Sequence, residues 1–318
     1  MKKTVSVHIV TYNSVLDIEE CLKAVAEQSY AIQQVIVVDN ASVDGTLEQL
    51  RALKKEGFGG LNLRILVNEQ NTGFAPAHNQ AIHHTDTDYV LVLNPDVALG
   101  PHYTELLVKC MDKHPEIGSA TGRLLLKANP DIVDSTGLIM NKACRAFDRG
   151  AGEPAMKWNQ SGEVFGVSGA AAVYSRRMIN DISIDGEFFD SDFFAYKEDV
   201  DVAWRAQLLG WRAYYHADAI AYHERGWKKS SRNSIPLFIR QASYINRFKM
   251  IYKNEKSSDR LKGFIYRLPF DFASSGYFLL REPAVLGAWK SFMTQLPQLK
   301  KKRAYIQQKR RERDVRDR

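Results

Sequence analysis

Four short apolar runs punctuate the first hundred residues: Val5 to Thr11, Val35 to Asp39, Leu63 to Val67 and Tyr89 to Leu93. The second runs Val-Ile-Val-Val with no polar break, the pattern of a strand covered on both faces of a parallel sheet. Helical stretches separate the runs. Asn13 or Ser14 can cap one that extends to about Gln28. Asp44-Gly45-Thr46 opens a second to about Lys55, with Asp44 as N-cap, and Ala75 to His84 reads as a third. Such regular alternation predicts an α/β fold on an open, mostly parallel, Rossmann-like sheet with right-handed crossovers. In these sheets ligands bind beyond the carboxyl ends of the strands.

Beyond Lys113 the alternation loosens. Ile117 to Leu126 reads as another strand, Asn129 to Trp158 as loops with hairpin-like pieces, and Arg212 to His216 as a further strand. Glu198 to Leu209 reads as a helix with Gly210 just past its end. Val164 to Ala171 carries small residues, as expected where something approaches the backbone closely. From about Asn233 aromatic and basic residues interleave, for example Phe238, Arg240, Tyr244, Arg247 and Phe248. This predicts a helical appendage whose apolar side packs on the main domain. The remainder is expected either in solvent or on a membrane surface. No stretch is long and uncharged enough to span a bilayer.

The polar residues gather at the strand ends: Thr11-Tyr12-Asn13, Asp39-Asn40, Asn68 to Gly73, and Asn94-Pro95-Asp96. Turn chemistry alone would place Asn, Asp and Gly there. Asp39 and Asp96, however, each close a very apolar strand, which favours one rim of a nucleotide site. Two carboxylate groups about a hundred residues apart, Asp96 and the Glu198-Asp199 pair, suggest one acid to hold a divalent metal and another to remove a proton. His223 is a third candidate. Asp201 and Arg205, at i and i+4, fit an ordinary helix-surface pair.

Composition narrows this only slightly. The 318 residues are 45% hydrophobic and 25% charged, ordinary for a globular chain. Cys21, Cys110 and Cys144 are few, far apart and odd in number, so neither a disulfide framework nor zinc spacing follows. The run after Met1-Lys2-Lys3 is too short for a signal segment, and a cytoplasmic location is expected. From Lys300 to Arg318 ten Lys or Arg stand against three Asp or Glu, so this tail alone accounts for the net charge of +7. It reads as a solvated basic helix or as a contact with anionic lipid. Nucleic acid is not expected, because the tail lacks interleaved aromatics and the main body lacks a basic excess.

As a set these motifs resemble the family 2 glycosyltransferases, which have the GT-A fold. Val10-Thr11-Tyr12-Asn13, Val37 to Thr46, and Asn71-Thr72-Gly73-Phe74-Ala75 with Asn79 are similar to that family's uridine- or thymidine-binding half. Leu93-Asn94-Pro95-Asp96 stands where the family has its Asp-x-Asp metal motif. Phe165 to Ala170 matches the acceptor-side glycine segment, and Glu198-Asp199 followed by Trp204-Arg205 matches the catalytic helix start. The resemblance covers about residues 4 to 225. One departure is Asn94 in place of the motif's first acid. That form resembles the rhamnosyltransferase-like branch, including galactofuranosyl transferases, in which a downstream His joins the Asp on the metal.

The resemblance implies a metal-dependent inverting transferase using a dTDP- or UDP-sugar, with dTDP-L-rhamnose favoured. The acceptor would be a glycan or lipid-linked glycan in cell-surface polysaccharide synthesis, with the enzyme free in the cytoplasm or peripheral on the inner membrane face. Asp199 is then the base and Glu198 positions the acceptor. Asp96 and His223 hold Mn²⁺ or Mg²⁺. Thr11, Tyr12, Asn13, Asp39, Asn40, Asn71, Gly73, Asn79 and Asn94 bind the nucleotide sugar, with Arg123 or Arg145 on phosphate. Gly169, Ala170 and Trp204 lie on the acceptor side. Residues 1–228 form the GT-A catalytic domain, with 1–100 its nucleotide half and 101–228 its acceptor half. Residues 229–299 form the appendage and 300–318 the basic tail. A non-catalytic binding protein of the same fold is the alternative. An oxidoreductase is disfavoured because no Gly-x-Gly-x-x-Gly follows the first strand.

Overall fold

The computed structural model describes residues 2–225 and 235–316; the expected domain boundary at 228/229 lies outside them. Along the chain, β1 (Val5–Thr11), α1 (Ile18–Ala26), β2 (Gln34–Asp39), α2 (Thr46–Lys55), β3 (Leu63–Val67), α3 (Phe74–His83) and β4 (Tyr89–Leu93) follow the expected alternation. α1 starts later than the sequence suggested. Asn13 takes a left-handed φ of 54°, and Ser14 closes a turn by accepting from the amides of Asp17 and Ile18. Asp44 caps α2 across Gly45: its Oδ1 accepts from the Thr46 amide at 3.0 Å, while Gly45 takes φ 98°.

Next come β5 (Val97–Leu99), α4 (Tyr103–Lys113), β6 (Ile117–Leu126), β7 (Asn129–Ser135), β8 (Leu138–Met140), β9 (Ala146–Asp148), β10 (Gly162–Val164), β11 (Ala171–Ser175), α5 (Arg176–Ile182), α6 (Glu198–Leu208) and β12 (Arg212–His223). The sheet order is β10-β12-β6-β11-β4-β1-β2-β3, with β5 on β12 and β7 on β6. The run β4-β1-β2-β3 is parallel throughout. Past β4 the sheet is mixed: β11 is antiparallel to both β4 and β6, and β12 is parallel to β6. The parallel part thus falls within residues 1–100. β4 is buried along its whole length because α1 and α4 cover one face, while Ala75 and Ile82 at the two ends of α3 and Met178 and Ile179 of α5 cover the other.

The appendage comprises α7 (Leu237–Asn254), α8 (Arg260–Arg281), α9 (Pro283–Leu286) and α10 (Ala288–Arg316). Among the described residues no helix is long and apolar enough to cross a membrane. One helix runs through residue 300, where the sequence suggested a boundary. The expectation of a solvated basic tail is corrected, because α10 docks on the main domain. Lys302 bonds Asp190 at 2.5 Å and Asp192 at 2.7 Å, Arg313 bonds Asp181 at 2.8 Å, and Lys309 pairs with the same Asp181 at 3.2 Å. Leu299 and Ile306 are buried beneath them. A tail rich in cations found fixed acids, which composition alone could not reveal.

Candidate active site

At the ends of β1 and β2, Thr11 and Asp39 are wholly buried, and Thr11 donates to Asp39 Oδ1 at 2.9 Å. Ser42 bonds both carboxylate oxygens, through its hydroxyl at 2.6 Å and its amide at 3.1 Å. Thr11 therefore orients the acid instead of facing outward, while Tyr12 is half-exposed beside it. Asn13 Oδ1 accepts from the Val43 amide. Asn40 donates to Gly73 O and accepts from Asn68 and Thr72; Asn71 accepts from the Gly73 amide.

Gly73 has φ 88°, and a Cβ there would lie 2.3 Å from Phe194 O. Its absence lets the Phe74 amide, first in α3, donate to that carbonyl at 2.9 Å. The rim is thereby tied to the chain segment leading into α6. Asn79 does not join the rim. Both ends of its amide bond the backbone of Phe189, at 2.7 and 2.9 Å, holding the Phe188–Phe189 segment of the core.

The second half of the site is a cavity of about 570 Å³, lined among others by Asn94, Asp96, Gly169, Ala170, Glu198, Asp199 and His223. The sheet register explains the first group. β12 pairs antiparallel with β5 so that His223 faces Val97, placing Asp96 alongside. The Glu224 amide bonds Asp96 O at 2.9 Å, and the Asn94 amide bonds Ala170 O at 2.8 Å. His223 Nε2 lies 3.3 Å from Asp96 Oδ1, and Nδ1 lies 2.8 Å from Asp134 Oδ2 on β7. Burial opposes a charged imidazolium, but bonds to Asp134 and Asp96 outweigh it and raise the His223 pKa to about 9.

The donor set fits a divalent ion in one respect. Asp96 oxygen and His223 Nε2 converge, and Asp134 fixes the imidazole from behind, the usual second support of a ligating histidine. Among the described residues no third His, Cys, Asp or Glu joins them, so any further ligands would have to come from diphosphate oxygens and water.

The α6 start supplies the other carboxylates. Tyr196 and Lys197 both take left-handed φ, 70° and 77°, turning the chain sharply into the helix. Asp199 Oδ1 accepts from the Val200 amide at 2.7 Å, and Oδ2 from the Gly169 amide at 3.3 Å. A helix N-terminus by itself favours an ionised carboxylate. Instead burial raises the Asp199 pKa, with Lys197 opposing and Asp148 adding to the rise. Burial, then the neighbouring Asp199, raise Glu198 to about 8, and Glu198 Oε2 is buried without a hydrogen-bond partner.

Other expectations need revision. Asp201 and Arg205 do pair, at 2.9 Å, but are almost wholly buried, not on a helix surface. Lys253 and Asn254 of α7 complete Asp201, at 2.9 and 2.7 Å, and Arg205 donates to Ile182 O and Phe188 O. Trp204 packs with Phe193, Val200 and Met250, away from the cavity. Arg123 bonds Ala155 O and Arg145 lies over Phe270, so neither reaches it. Arg225 does, bonding Asp134 and, at 2.7 Å, Asp148. Asp134, Asp148 and Arg225 were missed because they sit in strands and loops that carry no motif. Asp134, which closes the short apolar pair Ile132-Val133, was the one with a signal.

Known proteins resemble this arrangement. The curated poly-beta-1,6-N-acetyl-D-glucosamine synthase of Staphylococcus aureus (strain COL) is 24% identical over 212 residues, 66% of this chain and 47% of that protein. The chain thus spans about half the length of the curated relatives it matches. The solved structure of GalNAc-T7 with UDP, GalNAc and Mn²⁺ superposes with a TM-score of 0.65 at 12% identity, covering 79% of this chain and 48% of that one. That of S. aureus TarS 1-349 with UDP-GlcNAc gives 0.59 at 18%, covering 98% and 89%. These likenesses establish the GT-A fold. The model named Glycosyl transferase family 2 matches residues 6–182, from β1 to the end of α5 and so through the whole rim and the Asn94–Asp96 turn; on that match the chain belongs to glycosyl transferase family 2.

Proposed function

We propose that the protein transfers a sugar, with inversion, from a nucleotide-diphosphate donor to a hydroxyl of a glycan or lipid-linked glycan in surface polysaccharide synthesis. The observation that carries this is the convergence of the Asp96–His223 pair and the α6 carboxylates on one cavity. The Thr11–Asp39–Ser42 network would hold the base, with Asp39 accepting from an imide N–H. This favours dTDP or UDP. Mn²⁺ or Mg²⁺ at Asp96 and His223 would supply Lewis-acid neutralisation of the leaving diphosphate. The Asn94-Pro95-Asp96 form with His223 supports L-rhamnose as the sugar.

Asp199 is the base. Its two amide contacts fix the carboxylate, and its raised proton affinity suits proton removal. The acceptor oxygen bonds to the anomeric carbon opposite the diphosphate and its proton passes to Asp199. The carbon–oxygen bond to the diphosphate breaks, and the electron pair leaves with that group. Glu198, protonated near neutral pH, can donate a hydrogen bond that orients the acceptor.

A panel of nucleotide sugars with Mn²⁺ tests this reading. A true donor raises the melting temperature, since it binds only the native state, and releases nucleoside diphosphate when acceptor is added. dTDP-L-rhamnose should act more strongly than UDP-GlcNAc. Stabilisation without release for any acceptor would favour the non-catalytic binding alternative. No stabilisation by any donor would sink both.

The surface that best suits a membrane contact is on α8, not on the tail. Leu261, Phe264, Ile265, Leu268, Phe272 and Leu279 are all about half exposed or more. At 100° per residue they form one stripe roughly 27 Å long. Exposed Arg260, Lys262 and Arg281 flank it, which suits the cytoplasmic face of an anionic bilayer. Phe272→Asp with Leu279→Asp should abolish sedimentation with anionic vesicles. Unchanged sedimentation would remove the stripe from the account.

A further inference from the structure

Two cavities flank the turn that begins α6. One is the candidate active site. The other, about 340 Å³, lies between the β8–β9 hairpin, α7 and α8. Two segments wall both. In β9, Ala146 and Phe147 line the second cavity, while Asp148 lines the active site. In the turn, Lys197 lines the second cavity, while its neighbours Tyr196 and Glu198 line the active site. A molecule occupying both need only pass one turn of chain.

The second cavity has a definite chemistry. Three cations line it, Arg145, Lys197 and Arg247, and among the described residues no carboxylate does. Arg247 is braced from behind by Asp271 at 2.5 Å and by Ala143 O at 2.6 Å, and its Nε is buried without a partner. Arg145 lies against the rings of Phe147 and Phe270, 4.8 and 4.1 Å from their centroids. Neither Arg145 nor Lys197 has a carboxylate within salt-bridge distance among the described residues. Phe248, Phe270 and Phe278 complete an apolar wall. Guanidinium groups fixed by packing match phosphate oxygens in planar, paired geometry; Arg145 has no acid beside it, Arg247 has one behind it, and Lys197 is shared with the α6 carboxylates.

We infer that this cavity is an acceptor subsite for a phosphate group: the molecule that receives the sugar bears a phosphate, seated at Arg145, Arg247 and Lys197, and presents its hydroxyl across the α6 turn to Asp199. This rests on the glycosyl-transfer reading above. The phosphate can belong to a lipid-linked acceptor, whose tail would follow the aromatic wall toward the outer stripe of α8, or to a water-soluble phosphorylated glycan.

The test measures binding to the full chain saturated with UDP and Mn²⁺, so that the donor site is filled. UDP binding is measured first. Its absence counts against the donor reading, whereas the subsite is judged on the variants below. The probes are decyl phosphate below its micellar concentration, against decyl glucoside, and glucose 1-phosphate, against methyl glucoside. At least one phosphate probe should bind more tightly than its control. Its affinity should fall tenfold or more in Arg145→Gln and recover in part in Arg145→Lys. Ser243→Glu, an exposed α7 position on the cavity wall, should weaken it independently by adding an anion. Binding of decyl phosphate alone assigns a lipid-linked acceptor, and comparable binding of glucose 1-phosphate assigns a soluble one. The inference is overturned if neither phosphate probe exceeds its control, or if Arg145→Gln and Ser243→Glu bind as tightly as the parent.

Discussion

Asp39 on the rim and Asp199 at the α6 start are both acids held close to backbone amides, but their supports come from different distances. Thr11 and Ser42, which fix Asp39, lie on the same or the adjoining strand end, within 28 residues. The α6 start depends on Gly169, thirty residues away, and on a buried ion group that joins Asp190, Asp201 and Arg205 to Lys253 and Lys302. Lys253 and Lys302 belong to the appendage. Burial opposes ionisation of Asp190, yet the two lysines overcome it and hold its pKa well below the usual range. The difference teaches that the rim is a local device that any comparable strand end could carry. Helix α6, by contrast, is held in place by the C-terminal helices.

The sharpest way to break this comparison is Asp199→Asn. It should retain donor binding and lose turnover by about two to four orders of magnitude, the scale of general-base loss. Near-normal turnover with the same acceptor would remove Asp199 from the chemistry. Lys253→Met comes next. It leaves Asp190 and Asp201 short of a cation in the interior, and removing one partner of a buried pair costs about 3–5 kcal/mol. Denaturant unfolding should show that loss, and a change below 1 kcal/mol would mean that the appendage does not brace α6.

Asp134→Asn probes the imidazole support. Loss of such an outer partner typically weakens metal affinity about 10–100-fold, readable as the Mn²⁺ concentration needed for donor binding. Unchanged dependence would detach His223 from the metal. Glu198→Gln tests burial at the α6 start. Glu198 rises from its ordinary 4.5 to about 8, so the folded protein keeps a proton that the unfolded chain has already lost. The stability that Glu198 contributes is then fully present below about 4.5 and is lost as pH climbs through about 8. Gln should flatten that decline, and an identical slope would refute the assignment. The smallest effect is expected at the rim: Ser42→Ala should cost about 1 kcal/mol, the net worth of a single hydrogen bond. A loss as large as that of Lys253→Met would erase the contrast.

The four parallel strands and their helices could be read directly, because an apolar run buried on both faces and a capped amphipathic stretch are local properties. Asp96, His223, Glu198 and Asp199 could be read too, since each sits at a strand end or helix start within a motif. The rest required the folded chain. His223 meets Asp96 because β12 runs antiparallel to β5, a register that nothing near either residue announces. Asn79, read as a ligand contact, serves the Phe189 backbone. The basic tail, read as solvated, finds Asp181, Asp190 and Asp192 about 110 to 130 residues away. A sequence states where charge is placed along the chain. Whether that charge meets water, a ligand or an opposite charge depends on distances that exist only once distant segments have packed.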